Sequence, residues 1–186
     1  MKNNISAAVI VASMFMASSA MAEKGMWEMS VAANLDNTSS TVSGVGFSST
    51  TDTTQTFVSA DVGRYFTPKL VGRVSLSMFG SDDGTTSTLG TTVGAGVKYY
   101  FGEAAQSKWI PFIQGGVNFV MFDMGTTNAY GVGLAGGGGV SHFLTEDVSL
   151  DLTGQLFYNS MTIDTTGSPT LESSGQRILF GITARY

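Results

Sequence analysis

Apolar and polar residues alternate with a period of two along most of this chain. In segment 148–158, for example, Leu150 and Leu152 alternate with Asp151 and Thr153. Successive side chains of a β-strand point to opposite faces, so this alternation predicts strands with one apolar face. Eight such segments follow one another, at 27–35, 55–66, 70–79, 92–101, 109–121, 129–144, 148–158 and 176–186.

The length of these segments indicates a membrane wall. A tilted strand needs about 9–11 residues to cross the hydrocarbon layer, and most of the segments reach that length. An open sheet edge in lipid would leave backbone groups without partners, at a cost of several kcal/mol each, so we expect the sheet to close. The predicted fold class is all-β, an eight-stranded antiparallel up-and-down transmembrane β-barrel.

The connections between the segments alternate in length, which orients the barrel. Residues 36–54, 80–88, 122–128 and 159–174 are predicted as long loops rich in Ser, Thr, Gly and Asp. Residues 67–69 and 145–147 are predicted as tight turns, and 102–108 as an intermediate connection. Long loops face outward and short turns face the periplasm in barrels of this kind.

The N-terminus has the pattern of a secretory signal. Lys2 precedes an apolar run over 5–17, and small residues lead to Ala20-Met21-Ala22. A retained membrane helix needs about 20 apolar residues, and this run is shorter. We therefore predict a cleavable signal peptide over 1–22 and one barrel domain over 23–186.

The composition excludes several classes of protein. The chain has no cysteine, which removes disulfides and thiolate metal sites. Only 12% of its residues are charged while 11% are aromatic, which does not suit a disordered chain.

Aromatic residues gather at segment ends and predict two girdles at the membrane boundaries. The turn-side girdle is predicted to contain Trp27, Tyr65, Phe66, Tyr99, Tyr100, Phe101, Trp109, Phe112 and Phe143, and the loop-side girdle Phe79, Phe122, Tyr130 and Tyr158.

Charged residues occur at positions predicted to face the barrel interior. They are Glu28, Asp61, Arg73, Lys98, Asp151, Arg177 and Arg185. Eight strands enclose only enough room for side chains, so these charges are expected to meet one another. Asp61 and Arg73 flank the turn at 67–69 and should lie at similar height on neighbouring strands. The interpretation is a structural plug of salt bridges, and a gated ion path is the alternative.

The predicted outward loops carry acids and no Lys or Arg. The acids are Asp36, Asp52, Asp82, Asp83, Asp123, Asp164 and Glu172. They indicate either a solvated acidic surface or cation-bridged contact with lipopolysaccharide phosphates or a basic partner. The pattern argues against nucleic acid as a partner, because nucleic acid requires basic patches.

No catalytic, cofactor-binding or metal site is predicted. His142 is the single histidine, and Ser141 beside it should point to the opposite face. His142 aligns with Arg64 in a weak repeat of 62–67 and 140–145, and both are interpreted as interfacial side chains that reach lipid headgroups. Gly131, Gly133 and Gly136 satisfy a dinucleotide-loop spacing, but strand rather than helix is predicted to follow.

The predicted signal peptide, the eight segments, the Trp-x-Pro-Phe run over 109–112 and the aromatic C-terminus together resemble the small outer-membrane barrel superfamily that includes the OmpX/Ail and opacity-protein groups. This resemblance implies an integral location in the outer membrane of a Gram-negative cell. It also implies a C-terminal signal read by the outer-membrane assembly machinery, with Gly181, Ala184 and Tyr186 in the expected places. The chain departs from that pattern in Leu179, where a polar residue is usual, and in ending on Tyr rather than Phe.

Two functions from different classes fit these observations. The first is a structural or surface-interaction protein, with outer-membrane lipids and lipopolysaccharide as partners and no enzymatic activity. The second is a narrow pore or transporter for small ions or apolar solutes. The expected side-chain-filled interior favours the first, and the surface ligand stays open.

Overall fold

The computed structural model describes residues 27–44, 47–82, 87–102, 107–123, 127–165 and 167–186. The predicted signal peptide over 1–22 and Asp83 lie outside these residues. The described residues form eight strands, β1 (Trp27–Gly44), β2 (Phe47–Thr67), β3 (Leu70–Asp82), β4 (Ser87–Tyr100), β5 (Trp109–Asp123), β6 (Asn128–Phe143), β7 (Val148–Ile163) and β8 (Thr170–Arg185). Among them, no helix is long and apolar enough to cross a membrane.

The strands form one closed antiparallel barrel. Each strand pairs with the next in chain order, and β8 pairs with β1. At the seam, Trp27 and Tyr186 exchange two backbone hydrogen bonds, of 3.2 and 2.9 Å. The prediction of an eight-stranded up-and-down barrel is therefore confirmed.

The two predicted tight turns share one pattern of side-chain hydrogen bonds. The Thr67 hydroxyl accepts the amides of Lys69 and Leu70 at 3.3 and 3.0 Å. The Thr145 hydroxyl accepts the amides of Asp147 and Val148 at 3.3 and 3.1 Å. The repeat detected in the sequence thus extends to the hydrogen bonds of its turns.

The predicted extent of two long loops is wrong. Most of 36–54 belongs to β1 and β2, which pair as far as Gly44 and Phe47, and much of 159–174 belongs to β7 and β8. Thr41 and Thr50 face each other there with their hydroxyl oxygens 3.0 Å apart. In 36–54 the loop prediction failed because polar residues occupy both faces, so no apolar alternation marks these strands. In 159–174 Met161, Ile163 and Leu171 face inward, but they lie among Ser, Thr and Gly residues that are typical of loops.

Glycines form much of the inner surface of β6. An added Cβ at Gly131 or Gly137 would overlap the backbone oxygen of Ser160 or Gly154 on β7, so only glycine fits at these positions. The glycine run lies within a strand and continues as strand to Phe143. This confirms the interpretation of the run as barrel wall rather than a dinucleotide loop.

Candidate functional site

Among the side chains that the structure describes, two ion pairs lie in the barrel interior. Near its middle, Arg73 Nη2 lies 3.0 Å from Asp61 Oδ1, and Arg73 Nη1 donates to Gln114 Oε1 at 2.9 Å. Ser30 Oγ donates to Asp61 Oδ2 at 3.2 Å. The structure therefore brings Asp61 and Arg73 together across β2 and β3, and polar side chains of β1 and β5 satisfy their remaining atoms.

The second pair joins Lys98 to Asp151 across the barrel. Lys98 Nζ lies 2.8 Å from Asp151 Oδ2, and only 1% of the Lys98 side chain is exposed. Ser149 and Thr183 hydroxyls each donate to the Asp151 carboxylate at 2.9 Å. Lys98 Nζ also lies 4.1 Å from the centroid of the Phe112 ring. A buried ammonium is stabilised here by a carboxylate on one side and an aromatic face on another.

Glu28 and Arg185 lie at the turn end among aromatic rings. Tyr65 and Tyr100 hydroxyls donate to Glu28 Oε2 at 2.9 and 3.0 Å. Arg185 Cζ lies 4.3 Å from the Phe143 ring centroid and 4.7 Å from that of Tyr100. These contacts were not predicted, because the sequence analysis assigned these aromatics to the lipid-facing girdle.

The Arg177 guanidinium lies between two aromatic rings, nearer the loop end of the barrel than the two ion pairs. Its Cζ lies 4.2 Å from the Phe57 ring centroid and 4.6 Å from that of Phe157. Its Nε donates to Gln155 Oε1 at 2.7 Å. Asp36, which the sequence analysis placed in a loop, instead lies in β1 directly opposite Arg177 in the β1–β8 ladder.

Two apolar clusters lie inside the barrel, one near each end. The turn-end cluster contains Val71, Tyr100, Ile110, Phe112 and Phe143, with Tyr65 packed against it. The loop-end cluster contains Val120, Ala129, Met161, Ile163 and Leu171, with Val42, Phe79 and Phe122 packed against it. The girdle prediction is therefore wrong for these interior aromatics, whereas Phe66, Tyr99, Phe101, Trp109, Tyr130 and Tyr158 are exposed on the outside.

A chamber lies inside the barrel on the loop side of the turn-end cluster, and Phe122, Met161 and Leu171 of the loop-end cluster form part of its wall. Its volume is about 150 Å³, and its lining includes Asp61, Arg73, Lys98, Asp151 and Arg177. Inner-wall hydroxyls of residues such as Ser75 and Thr153 complete the lining. The chamber is large enough for several water molecules, since one water needs about 10–15 Å³ on this measure.

The outer face of the barrel carries the apolar residues of the alternating pattern. Exposed apolar side chains occur on every strand from β2 to β8, among them Val74, Val97, Ile113, Val132, Leu156 and Phe180. At the turn end, Arg64 lies over the Trp27 ring at 5.8 Å, and the Trp109 and His142 rings lie 4.2 Å apart. Ser141 is fully buried on the inner side, so it does not meet His142.

Exposed acids occupy the loop end. Asp52, Asp123, Asp164 and Glu172 are exposed, and Tyr158 donates its hydroxyl hydrogen to Glu172 Oε1 at 3.0 Å. Asp82 lies in β3 rather than in a loop. Within the described ranges, no three acidic or histidine side chains come together as a metal site.

The three residues of the predicted assembly signal lie in the C-terminal part of β8 and directly after it. Gly181 is opposite Ala32 of β1, and an added Cβ would fall 2.9 Å from the Val31 carbonyl oxygen. Ala184 is opposite Met29, and Tyr186 pairs with Trp27 through its backbone. The structure thus gives Gly181 a packing role in closing the barrel.

These features define a fold, the small closed barrel of eight antiparallel strands, and solved outer-membrane proteins share it. The fold matches Neisserial surface protein A with a TM-score of 0.60 and 19% identity, over 87% of this chain and 97% of that one. It matches outer membrane protein OprG from Pseudomonas aeruginosa with a TM-score of 0.63 and 15% identity, over 88% and 97%. It also matches outer membrane protein AlkL, solved in lipid bilayers, with a TM-score of 0.52 and 10% identity, over 89% and 93%.

These likenesses concern the fold, since all three identities are low. No protein-family model and no curated protein matches the sequence.

Proposed function

We propose that this chain is an integral protein of the outer membrane with a structural or surface-interaction role. The strands contain 13 to 21 residues, more than the roughly 9–11 that a tilted strand needs to cross the hydrocarbon layer. Their outward apolar side chains, such as Val132 and Leu156, would be costly in water and are suited to lipid. The alternation of connection lengths supports the turns facing the periplasm and the extended hairpins facing outward.

The observation that carries the proposal is the pair of packed apolar clusters inside the barrel, one near each end. Val71 is 0% exposed, Tyr100 and Ile110 are each 1% exposed, and Val120 is 1% exposed at the other end. The Asp61–Arg73 and Lys98–Asp151 pairs and Arg177 line the chamber inside the barrel. A barrel with such an interior is a rigid support for what its outer end displays.

Single-channel recording tests this proposal. Purified, folded protein is added to a planar bilayer, and we expect no stable unitary conductance because both apolar clusters block the ion path. A variant with both clusters reduced, carrying Phe79→Ala, Phe122→Ala, Tyr100→Ala and Phe112→Ala, serves as the matched open control. Stable conductance steps from the unmodified protein would overturn the proposal.

A narrow pore or transporter for small ions or apolar solutes is the second candidate. The chamber of about 150 Å³ favours it, because a space of that size holds several water molecules. For conduction, both clusters would have to separate. The same recording decides between the two candidates.

The proposed partners are outer-membrane lipids and lipopolysaccharide, with the outer-membrane assembly machinery during insertion. The acids exposed at the loop end support contact with lipopolysaccharide phosphates through divalent cations, since hard cations prefer carboxylate oxygens. We propose neither a catalytic role nor a cofactor, since Ser141 and His142 point to opposite faces of β6. The same acidity makes nucleic acid an unsuitable partner.

A further inference from the structure

Two outward-facing side-chain pairs occur at equivalent places near the turn end of the barrel. Trp27 and Arg64 are opposite each other in the β1–β2 ladder, and Trp109 and His142 are opposite each other in the β5–β6 ladder. Arg64 Cζ lies 5.8 Å from the Trp27 ring centroid. The Trp109 and His142 rings lie 4.2 Å apart with their planes inclined by 35°.

The equivalence follows from the hairpin repeat. Arg64 lies three residues before Thr67, as His142 lies three residues before Thr145. Both threonine hydroxyls accept two turn amides in the same way. The two pairs are four strands apart in a barrel of eight. They therefore lie on opposite sides of the barrel at the same distance from a turn.

Apolar side chains surround each pair. Phe66 is 67% exposed and Leu144 is 56% exposed, and both lie between the pair and its turn. Trp109 is itself 59% exposed. A guanidinium or imidazole among such apolar side chains needs a polar partner from the membrane. Long polar side chains near a membrane boundary find that partner among the lipid headgroups. His142 Nδ1 is shielded, so Nε2 is the ring nitrogen left to meet a group from the membrane.

We propose that the Trp27–Arg64 and Trp109–His142 pairs are two binding sites for the phosphate of anionic phospholipids in the periplasmic leaflet. Arg64 and His142 donate N–H groups to phosphate oxygens, and the indole rings pack against the glycerol and upper acyl chain. The inference rests on the proposed function, which puts the turns on the periplasmic side. Lipopolysaccharide is not the occupant, because it belongs to the opposite leaflet.

Native mass spectrometry of the barrel released from lipid nanodiscs tests this. The discs contain phosphatidylethanolamine and phosphatidylglycerol, and the retained phosphatidylglycerol is counted for the unmodified protein and for Arg64→Gln, His142→Gln and the double variant. Each single variant should lose about half of the retained phosphatidylglycerol and the double variant most of it. Lys69→Gln, which removes a charge from the turn itself, is the matched control and should retain as much as the unmodified protein.

Conservative variants separate lipid binding from simple cross-strand stacking. Arg64→Lys and His142→Arg keep a donor and should retain phosphatidylglycerol, whereas a purely structural contact would be disturbed by these changes as well. Unchanged retention in the double variant, or an equal loss in Lys69→Gln, would refute the two sites. A protein that fails to enter the discs would contradict the membrane proposal itself, while one that enters and retains no phosphatidylglycerol contradicts only this inference.

Discussion

Arg177 and Arg185 show how the interior accommodates guanidinium groups. Arg177 lies between the Phe57 and Phe157 rings, and Arg185 lies over the Phe143 ring. Aromatic faces attract cations and are effective where water is excluded. Aromatic rings, as well as carboxylates, therefore stabilise the buried cations of this barrel.

The Lys98–Asp151 pair gives a test at the residue scale. Lys98→Met leaves the Asp151 carboxylate buried with only hydroxyl donors, so the free energy of unfolding should fall by about 3–5 kcal/mol. Equilibrium urea unfolding in detergent micelles, followed by tryptophan fluorescence, measures the change.

The double variant Lys98→Met, Asp151→Leu is the matched control for that test. Because it removes both charges, it should recover most of the lost stability. If the single and double variants were equally unstable, packing rather than the unpaired carboxylate would account for the loss.

At the scale of elements, hydrophobic periodicity predicted the strands well where one face is apolar. It failed at the loop end, where β1 and β2 extend to Gly44 and Phe47 with polar residues on both faces. It also could not separate the inner from the outer aromatics, because Tyr65 and Phe66 are adjacent and point to opposite sides. Tyr65 and Tyr100 share the inward parity of Asp61 and Lys98, which conflicts at these two positions with the general tendency of aromatic residues to form outward girdles.

The turn threonines test the repeat as a structural element. Thr67→Ala and Thr145→Ala each remove a hydroxyl that accepts two backbone amides, so each should lower the free energy of unfolding by about 0.5–1.5 kcal/mol. Thr67→Ser and Thr145→Ser keep the acceptor and should stay close to the unmodified protein. Equal losses in the alanine and serine variants of either turn, measured by urea titration, would rule out the shared role.

For the whole molecule, closure of the barrel could be predicted from the number and length of the strands. The side-chain contacts in the lumen could not. Asp61 and Arg73 are close in the sequence, and their height on adjacent strands could be predicted. Lys98 and Asp151 meet across the barrel, and Gln114 and Gln155 complete the polar contacts, which depend on the stagger of strands around the wall. The period-two pattern carries no information on that stagger.

The absence of cysteine permits a test of orientation in intact cells. Ser48→Cys and Glu146→Cys place single thiols at exposed positions on opposite ends of the barrel. A large polyethylene-glycol maleimide that cannot cross the outer membrane should label Ser48→Cys and spare Glu146→Cys until the cells are lysed. Labelling of Glu146→Cys alone in intact cells would reverse the proposed orientation.

The seam between Trp27 and Tyr186 has a consequence for the order of folding. Every other ladder joins strands that are consecutive in the chain, so it can form as a local hairpin, while the β1–β8 ladder joins the first strand to the last. Non-local pairing is slow, because the entropy of ordering the intervening chain is lost before the contacts form. Closure of this ladder is therefore the natural slow step of folding. Until it forms, β1 and β8 each present an open edge that another polypeptide can occupy.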